Sequence, residues 1–92
     1  VLFITFSNIK IELIEPLGDN SPIEKFFKKN QKGGIHHICL EVNNISKAIN
    51  TVVNNDVEIL GDGQAKTGAH GKPVVFLNPA SFSGTLIELE EV

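Results

Sequence analysis

Residues 74–91, VVFLNPASFSGTLIELEE, contain two apolar stretches separated by a polar segment with a proline and a glycine. The first stretch is rich in β-branched and aromatic residues, and the second alternates apolar with acidic residues, so both are typical of β-strands. The proline and glycine between them favour a turn. These residues therefore predict a β-hairpin, and its recurrence elsewhere in the chain decides the fold.

The same hairpin pattern occurs at the start of the chain. Residues 1–4 (VLFI) correspond to residues 74–77 (VVFL), and residues 11–15 (IELIE) correspond to residues 87–91 (IELEE). The offset is 73 residues at the aligned phenylalanines and 76 at the aligned first glutamates, so the later turn is three residues longer. A repeat of this kind indicates two related structural units.

A complete βαβββ unit is predicted over residues 35–92. Residues 44–53 have apolar residues at helical spacing, and Asn44 is suited to cap the helix. Residues 61–72 contain four glycines and predict a loop. The predicted strands of this unit are residues 35–42, 57–60, 73–77 and 85–91.

Residues 1–34 are expected to form only the end of an earlier unit of the same kind. They comprise its C-terminal hairpin and a linker helix, predicted to begin at the capping box Ser21-Pro22-Ile23-Glu24. The opening βαβ part of that first module is expected to be missing before Val1. The fold class is therefore α+β, with an incomplete module followed by a complete one.

The composition excludes several classes of function. The 92 residues carry 8 basic residues, all lysines, against 11 acidic residues, for a net charge of −3. Without a basic block, neither nucleic acids nor anionic membranes are expected as partners. The single cysteine, Cys39, excludes a disulfide framework and a zinc site with several cysteines, so we interpret it as a packing residue. No apolar run approaches the roughly 18 residues of a membrane span.

Three strand residues have side chains suited to a metal ion. Glu12 and Glu88 occupy equivalent positions of the repeat. Strand alternation predicts that His37 and Cys39 share one face of their strand and that His36 lies on the opposite face. Two carboxylates and one imidazole suit Mn²⁺, Co²⁺, Fe²⁺ or Zn²⁺. The residues alone leave open that both glutamates are merely solvated and that the histidine is structural.

The loop at residues 66–73, KTGAHGKP, is the second candidate site. Lys66 and Lys72, together with exposed amides around the glycines, are suited to hold an anion. The alternative is a flexible connector between two strands.

Four segments resemble the methylmalonyl-CoA epimerases, a family of the vicinal oxygen chelate (glyoxalase/bleomycin-resistance-like) superfamily. They are residues 11–18 (IELIEPLG), 34–42 (GIHHICLEV), 68–77 (GAHGKPVVFL) and 86–89 (LIEL). The resemblance extends over essentially the whole chain. It implies two βαβββ modules that form a cup around a divalent metal ion, which agrees with the repeat.

The resemblance also implies a reaction and the residues that carry it. Glu12, His37 and Glu88 match three of the family's four metal positions, for Co²⁺, Mn²⁺ or Zn²⁺, and the fourth, a histidine, would precede Val1. The implied activity interconverts (2R)- and (2S)-methylmalonyl-CoA by 1,1-proton transfer through an enolate, on the route from propionyl-CoA to succinyl-CoA. Glu88 is the candidate acid/base, and Lys66 and Lys72 are the candidate contacts for the substrate carboxylate or the CoA phosphates.

The resemblance further implies a homodimer that is mitochondrial in a eukaryote and cytoplasmic in a bacterium. Asn78, Ala80 and residues 81–83 depart from the family pattern, before the last strand. Three alternatives remain open: a non-catalytic or dimer-completed short form, another metal-dependent enzyme of the superfamily such as a lyase or dioxygenase, and a binding module without metal. A dioxygenase would need a second histidine on the face of His37.

Overall fold

The computed structural model describes residues 1–18, 21 and 23–92. The chain forms two compact units, Val1–Gly34 and Ile35–Val92. The predicted position of Pro22 at the start of the linker helix lies outside the described residues.

The first unit contains a hairpin and a short helix. Strand β1 (Leu2–Thr5) pairs antiparallel with β2 (Lys10–Leu13), as the sequence predicts. Helix α1 spans Glu24–Lys29, and its N-cap residue is Ile23, without a side-chain cap. Ser21, the predicted cap, lies before this position: its Oγ accepts from the amide of Ile23 at 3.4 Å, and its carbonyl oxygen accepts from the amide of Glu24 at 3.0 Å. The helix therefore begins later than the capping box predicts.

The second unit is a four-stranded sheet with one helix. Its elements are β3 (His37–Val42), α2 (Ile45–Asn54), β4 (Lys66–Thr67), β5 (Pro73–Leu77) and β6 (Leu86–Glu91). The strand order is β3-β6-β5-β4. Strands β3 and β6 are parallel, and the other neighbours are antiparallel. A crossover helix between β3 and the later strands gives a βαβββ order, but its second strand is β4 and not the strand predicted at residues 57–60.

Helix α2 forms where the apolar spacing predicts it, because one face of it packs against the sheet. The side-chain oxygen of Asn44 accepts from the amide of Lys47 at 3.0 Å, so the predicted cap is confirmed. Glu91 adds a second cap, since its Oε2 accepts from the amide of Ile45 at 2.9 Å. The buried core on this side of the sheet consists of Ile45, Ile59, Val75, Leu77, Ile87 and Leu89.

Residues 57–60 do not form a strand, so the strand predicted there is wrong. Only an isolated bridge joins Ile59 to Leu77. The chain turns away from β5 directly afterwards, since Gly61 and Gly63 adopt positive φ angles of 78° that favour glycine. It returns as β4 inside the segment predicted to be loop. The edge of β5 is thus paired by two short pieces instead of one strand.

The two hairpins share one register, which supports the internal repeat. Phe3 lies opposite Glu12 in β1–β2, and Phe76 lies opposite Glu88 in β5–β6. The additional residues of the later turn form a 3₁₀ turn at Pro79–Phe82. Asn78, one of the departures from the family pattern, caps this turn by accepting from the amide of Ala80 at 2.9 Å.

Candidate functional site

The second unit has a polar sheet face. Along β6 the core residues alternate with Glu88 and Glu90, so these two carboxylates point away from the core. The register places Cys39 of β3 beside Glu88 and Glu41 beside Glu90. The tertiary fold thus gathers several titratable side chains on the side of the sheet opposite α2.

His37 and Glu88 are the two predicted site residues that this unit brings together. Nε2 of His37 lies 3.0 Å from Oε1 of Glu88, and the two side chains are only 15% and 13% exposed. Two ligands at right angles on one ion, each at about 2.1 Å, would be about 3.0 Å apart. One imidazole nitrogen and one carboxylate oxygen at this spacing therefore fit a divalent ion in donor type and in separation.

A second contact fixes the imidazole of His37. Its Nδ1 lies 2.8 Å from Nδ1 of His36, so the prediction that the two histidines point in opposite directions is wrong. His36 precedes the first ladder residue of β3, and strand alternation does not apply there. The ring of Phe76 contacts His37 edge-on, with centroids 5.7 Å apart. The ring of His37 is thereby held between neighbours on two sides.

Cys39 is held in its neutral form on the same face. Cys39 is exposed, so its interpretation as a packing residue is wrong. Desolvation of the thiol and the carboxylate of Glu88, followed by the charges of Glu90 and Glu41, raise its pKa to about 12. At neutral pH the thiol is therefore protonated. It is suited neither to act as a nucleophile nor to bind a metal as thiolate.

Glu12, the third predicted ligand, is half-buried on β2 of the first unit, opposite Phe3. Within residues 35–92, no group of three His, Cys, Asp or Glu side chains is arranged to hold a metal ion. The second unit thus contains two of the three residues predicted to bind the metal ion, His37 and Glu88.

The two predicted substrate-binding lysines lie in different surroundings. Nζ of Lys66 is 2.8 Å from Oδ2 of Asp62, a contact that lowers the pKa of Asp62. Lys72 is exposed at the end of the β4–β5 turn. Lys72 is thus better placed to offer its charge to a ligand, since the charge of Lys66 is already paired.

One contact on the polar sheet face was not predicted from the sequence. Nδ1 of His70, in the β4–β5 turn, lies 3.1 Å from Oε2 of Glu90, and the side chains are 38% and 11% exposed. The alternation of a strand could have placed Glu90 on this face, because Glu88 and Glu90 are two residues apart on β6 and therefore share a face. The position of His70 over that face was not predictable from spacing.

Comparison with known proteins identifies the family. The model of the Glyoxalase/Bleomycin resistance protein/Dioxygenase superfamily matches residues 1–76. The chain is 58% identical over 90 residues to the mitochondrial methylmalonyl-CoA epimerase of Dictyostelium discoideum. It is 54% identical over 92 residues to the ethylmalonyl-CoA/methylmalonyl-CoA epimerase of Cereibacter sphaeroides. These matches cover 98% and 100% of the chain, but 54% and 69% of the respective relatives.

A solved structure agrees with these matches. The structure of a methylmalonyl-CoA epimerase in complex with methylmalonyl-CoA and NH4+ superimposes with a TM-score of 0.74 at 28% identity, over 84% of this chain and 52% of that one. In the described part of the chain, no helix has the length and apolar character to cross a membrane. The expected glyoxalase-like fold is confirmed. The chain therefore belongs to the Glyoxalase/Bleomycin resistance protein/Dioxygenase superfamily and, within it, to the family of the methylmalonyl-CoA epimerases.

Proposed function

We propose that the protein containing this chain interconverts the two C2 epimers of methylmalonyl-CoA by 1,1-proton transfer. The names of the relatives support this substrate. In the chain itself, the observation that carries the proposal is the contact between His37 and Glu88 at 3.0 Å on the polar sheet face. A proton transfer next to a thioester needs a carboxylate or imidazole of this kind within hydrogen-bond reach.

A divalent metal ion, Co²⁺, Mn²⁺ or Zn²⁺, is part of the proposal. His37 and Glu88 would hold it. Glu12 stays the third predicted ligand, on the resemblance to the family and on its equivalence to Glu88 in the shared hairpin register. When bound, such an ion polarises a carbonyl oxygen as a Lewis acid. His36 supports this role, since its contact with Nδ1 of His37 leaves Nε2 directed towards Glu88.

Glu88 is the proposed acid/base for one face of the substrate. Its carboxylate takes the proton from C2, so the C–H bond breaks and an O–H bond forms. The electron pair moves into the thioester carbonyl and gives the enolate. A second acid on the opposite side of the substrate then donates a proton to C2. This inverts the configuration at C2 and replaces the proton that Glu88 removed.

Lys72 is the proposed contact for the anionic groups of the ligand. Its side chain is exposed at the end of the β4–β5 turn, two residues from His70. Lys66 was proposed for the same role, but it would first have to leave Asp62. An ammonium group is a point charge that suits either a carboxylate or the CoA phosphates.

The wider setting is part of the same proposal. The reaction would serve the route from propionyl-CoA to succinyl-CoA, in a homodimer. Of the two relatives described above, one is named as mitochondrial and the other comes from a bacterium. We therefore propose mitochondria if the source is a eukaryote and the cytoplasm if it is a bacterium.

Deuterium uptake at C2 tests the function. Methylmalonyl-CoA is incubated in D2O with the natural polypeptide that contains this chain, first stripped of metal and then supplied with Co²⁺. We expect uptake that depends on Co²⁺ and is abolished in Glu88→Gln. Glu41→Gln is the control, since it removes a carboxylate from the same face and leaves the His37–Glu88 contact unchanged.

The outcomes separate the proposed function from the role of Glu88. Absence of uptake in the metal-loaded protein would exclude the epimerase function, and binding without uptake would favour a non-catalytic module. Uptake that survives in Glu88→Gln would leave the function intact and remove Glu88 from it.

A further inference from the structure

We propose that the contact between His70 and Glu90 holds the β4–β5 turn over the polar sheet face, which makes His70 a positioning residue for binding of methylmalonyl-CoA. The turn is defined here as residues 68–72. Nδ1 of His70 lies 3.1 Å from Oε2 of Glu90. This inference rests on the proposed function and adds a residue pair to it.

Two backbone hydrogen bonds join the two ends of the turn and support its conformation. The amide of Gly68 donates to the carbonyl oxygen of Lys72 at 2.9 Å, and the amide of Gly71 donates to that of Gly68 at 3.0 Å. A Cβ at Gly68 would lie 2.6 Å from Cγ1 of Val74, so this end of the turn lies directly on β5. A shift of His70 would therefore carry Lys72 with it.

Glu90 is the anchor of the contact. It is buried, although it lies on the polar face and has no part in the apolar core. A buried carboxylate is costly without a hydrogen-bond donor, and the ring nitrogen of His70 is at donor distance. The burial of Glu90 thus favours the conformation in which the turn is closed over it.

The contact lies next to the proposed reaction site. Glu90 and Glu88 are two residues apart on β6, a distance of about 7 Å along a strand. A ligand that contacts Glu88 and extends along β6 towards Glu90 would reach the turn, because His70 lies against Glu90. Removal of the contact between His70 and Glu90 should for this reason change ligand affinity more than the chemical step.

The test compares binding with turnover in the natural polypeptide loaded with Co²⁺. The methylmalonyl-CoA is first brought to equilibrium between its two epimers, so that no net reaction occurs. Isothermal titration calorimetry with this mixture then measures the heat of binding alone. Deuterium exchange at C2 gives kcat and KM. The variants are His70→Ala, Glu90→Ala, their combination and Glu90→Gln. Glu41→Ala is the matched control, because it removes the carboxylate that lies beside Glu90 in the sheet.

We expect Kd and KM to rise about tenfold in His70→Ala and in Glu90→Ala, while kcat stays within about twofold of the wild type. This pattern is expected when the lost contact stabilises the bound substrate and the transition state equally. The double variant should resemble the single variants, since both remove one contact. Glu90→Gln keeps an acceptor oxygen for His70 and should restore most of the affinity. A simple loss of folded protein would instead lower apparent kcat at constant KM.

Three results would overturn the inference: an unchanged Kd in His70→Ala, additive effects in the double variant, or an equal loss in Glu41→Ala. If Glu90→Ala does not fold, His70→Ala decides, because that side chain is more exposed and outside the core. A wild-type protein that binds methylmalonyl-CoA without exchange would contradict the epimerase function, and the Kd series would still decide the role of His70. A wild-type protein that neither binds nor exchanges would overturn both proposals.

Discussion

His37 and Glu88 meet diagonally across two parallel strands. The register places His37 opposite Leu86 and Glu88 opposite Cys39, yet Nε2 of His37 lies 3.0 Å from Oε1 of Glu88. Diagonal neighbours in a sheet are about 7–8 Å apart at the backbone and are reached only by long side chains. The contact therefore depends on the parallel pairing of β3 with β6 and not only on the presence of the two residues.

The first prediction concerns metal affinity. Glu88→Gln replaces the carboxylate of one of the two proposed ligands in this unit by an uncharged amide, which is a weaker donor, so affinity for Co²⁺ should fall about tenfold. Competition with a chromogenic chelator measures it without reference to activity. Glu41→Gln should bind Co²⁺ like the wild type. Equal affinities in wild type and Glu88→Gln would remove Glu88 from the ligand set.

The second prediction concerns the thiol of Cys39. Because its pKa is raised to about 12, the neutral form persists well above the usual range, and reaction with Ellman's reagent at pH 8 should be slow. The rate should continue to rise with pH beyond 9.0, the ordinary pKa of a cysteine. Glu88→Gln removes the largest electrostatic cause and should speed the reaction several-fold, roughly in proportion to the thiolate fraction.

Glu41→Gln is the control for the thiol measurement. Glu41 is the weakest of the contributing carboxylates, so its removal should change the rate less than removal of Glu88. A rate at pH 8 equal to that of an unfolded cysteine peptide would show that the neighbouring charges do not act on Cys39.

The third prediction concerns the core. Leu77 is only 2% exposed, so Leu77→Ala should lower the free energy of unfolding by about 3 kcal/mol through lost burial and a residual cavity. Leu40→Ala provides the comparison, because Leu40 is 51% exposed and its truncation should cost about 0.5 kcal/mol or less. Urea unfolding measures both. Similar losses for the two variants would contradict the assigned core.

The fourth prediction concerns the cap of α2 by a distant strand. Oε2 of Glu91 accepts from the amide of Ile45 at 2.9 Å, and a carboxylate is favourable at a helix N-terminus. Glu91→Ala should therefore cost about 1 kcal/mol of unfolding free energy, similar to Asn44→Ala at the neighbouring cap. Glu91→Gln keeps an acceptor and should cost less. Urea unfolding of the three variants tests this, and equal stability of Glu91→Ala and wild type would contradict the cap.

The sequence was most informative where short-range periodicity matches packing. Helix α2 and the β5–β6 hairpin lie at the predicted positions, because their apolar residues follow the spacing of a helix and of strands. The later start of α1 and the reduction of the strand at residues 57–60 to one bridge were not predicted. Both depend on local turn geometry, to which apolar spacing is insensitive.

By itself, the sequence determined the internal repeat, helix α2, the β5–β6 hairpin and the family, since these are properties of residue order and identity. It also identified His37 and Glu88 as candidates for one site. Only the tertiary structure decided which residues meet: His37 with Glu88, His36 with His37, and His70 with Glu90. The physical reason is that such contacts depend on strand register and on the path of a turn, which are set by packing of the whole unit and not by the pattern of any one segment.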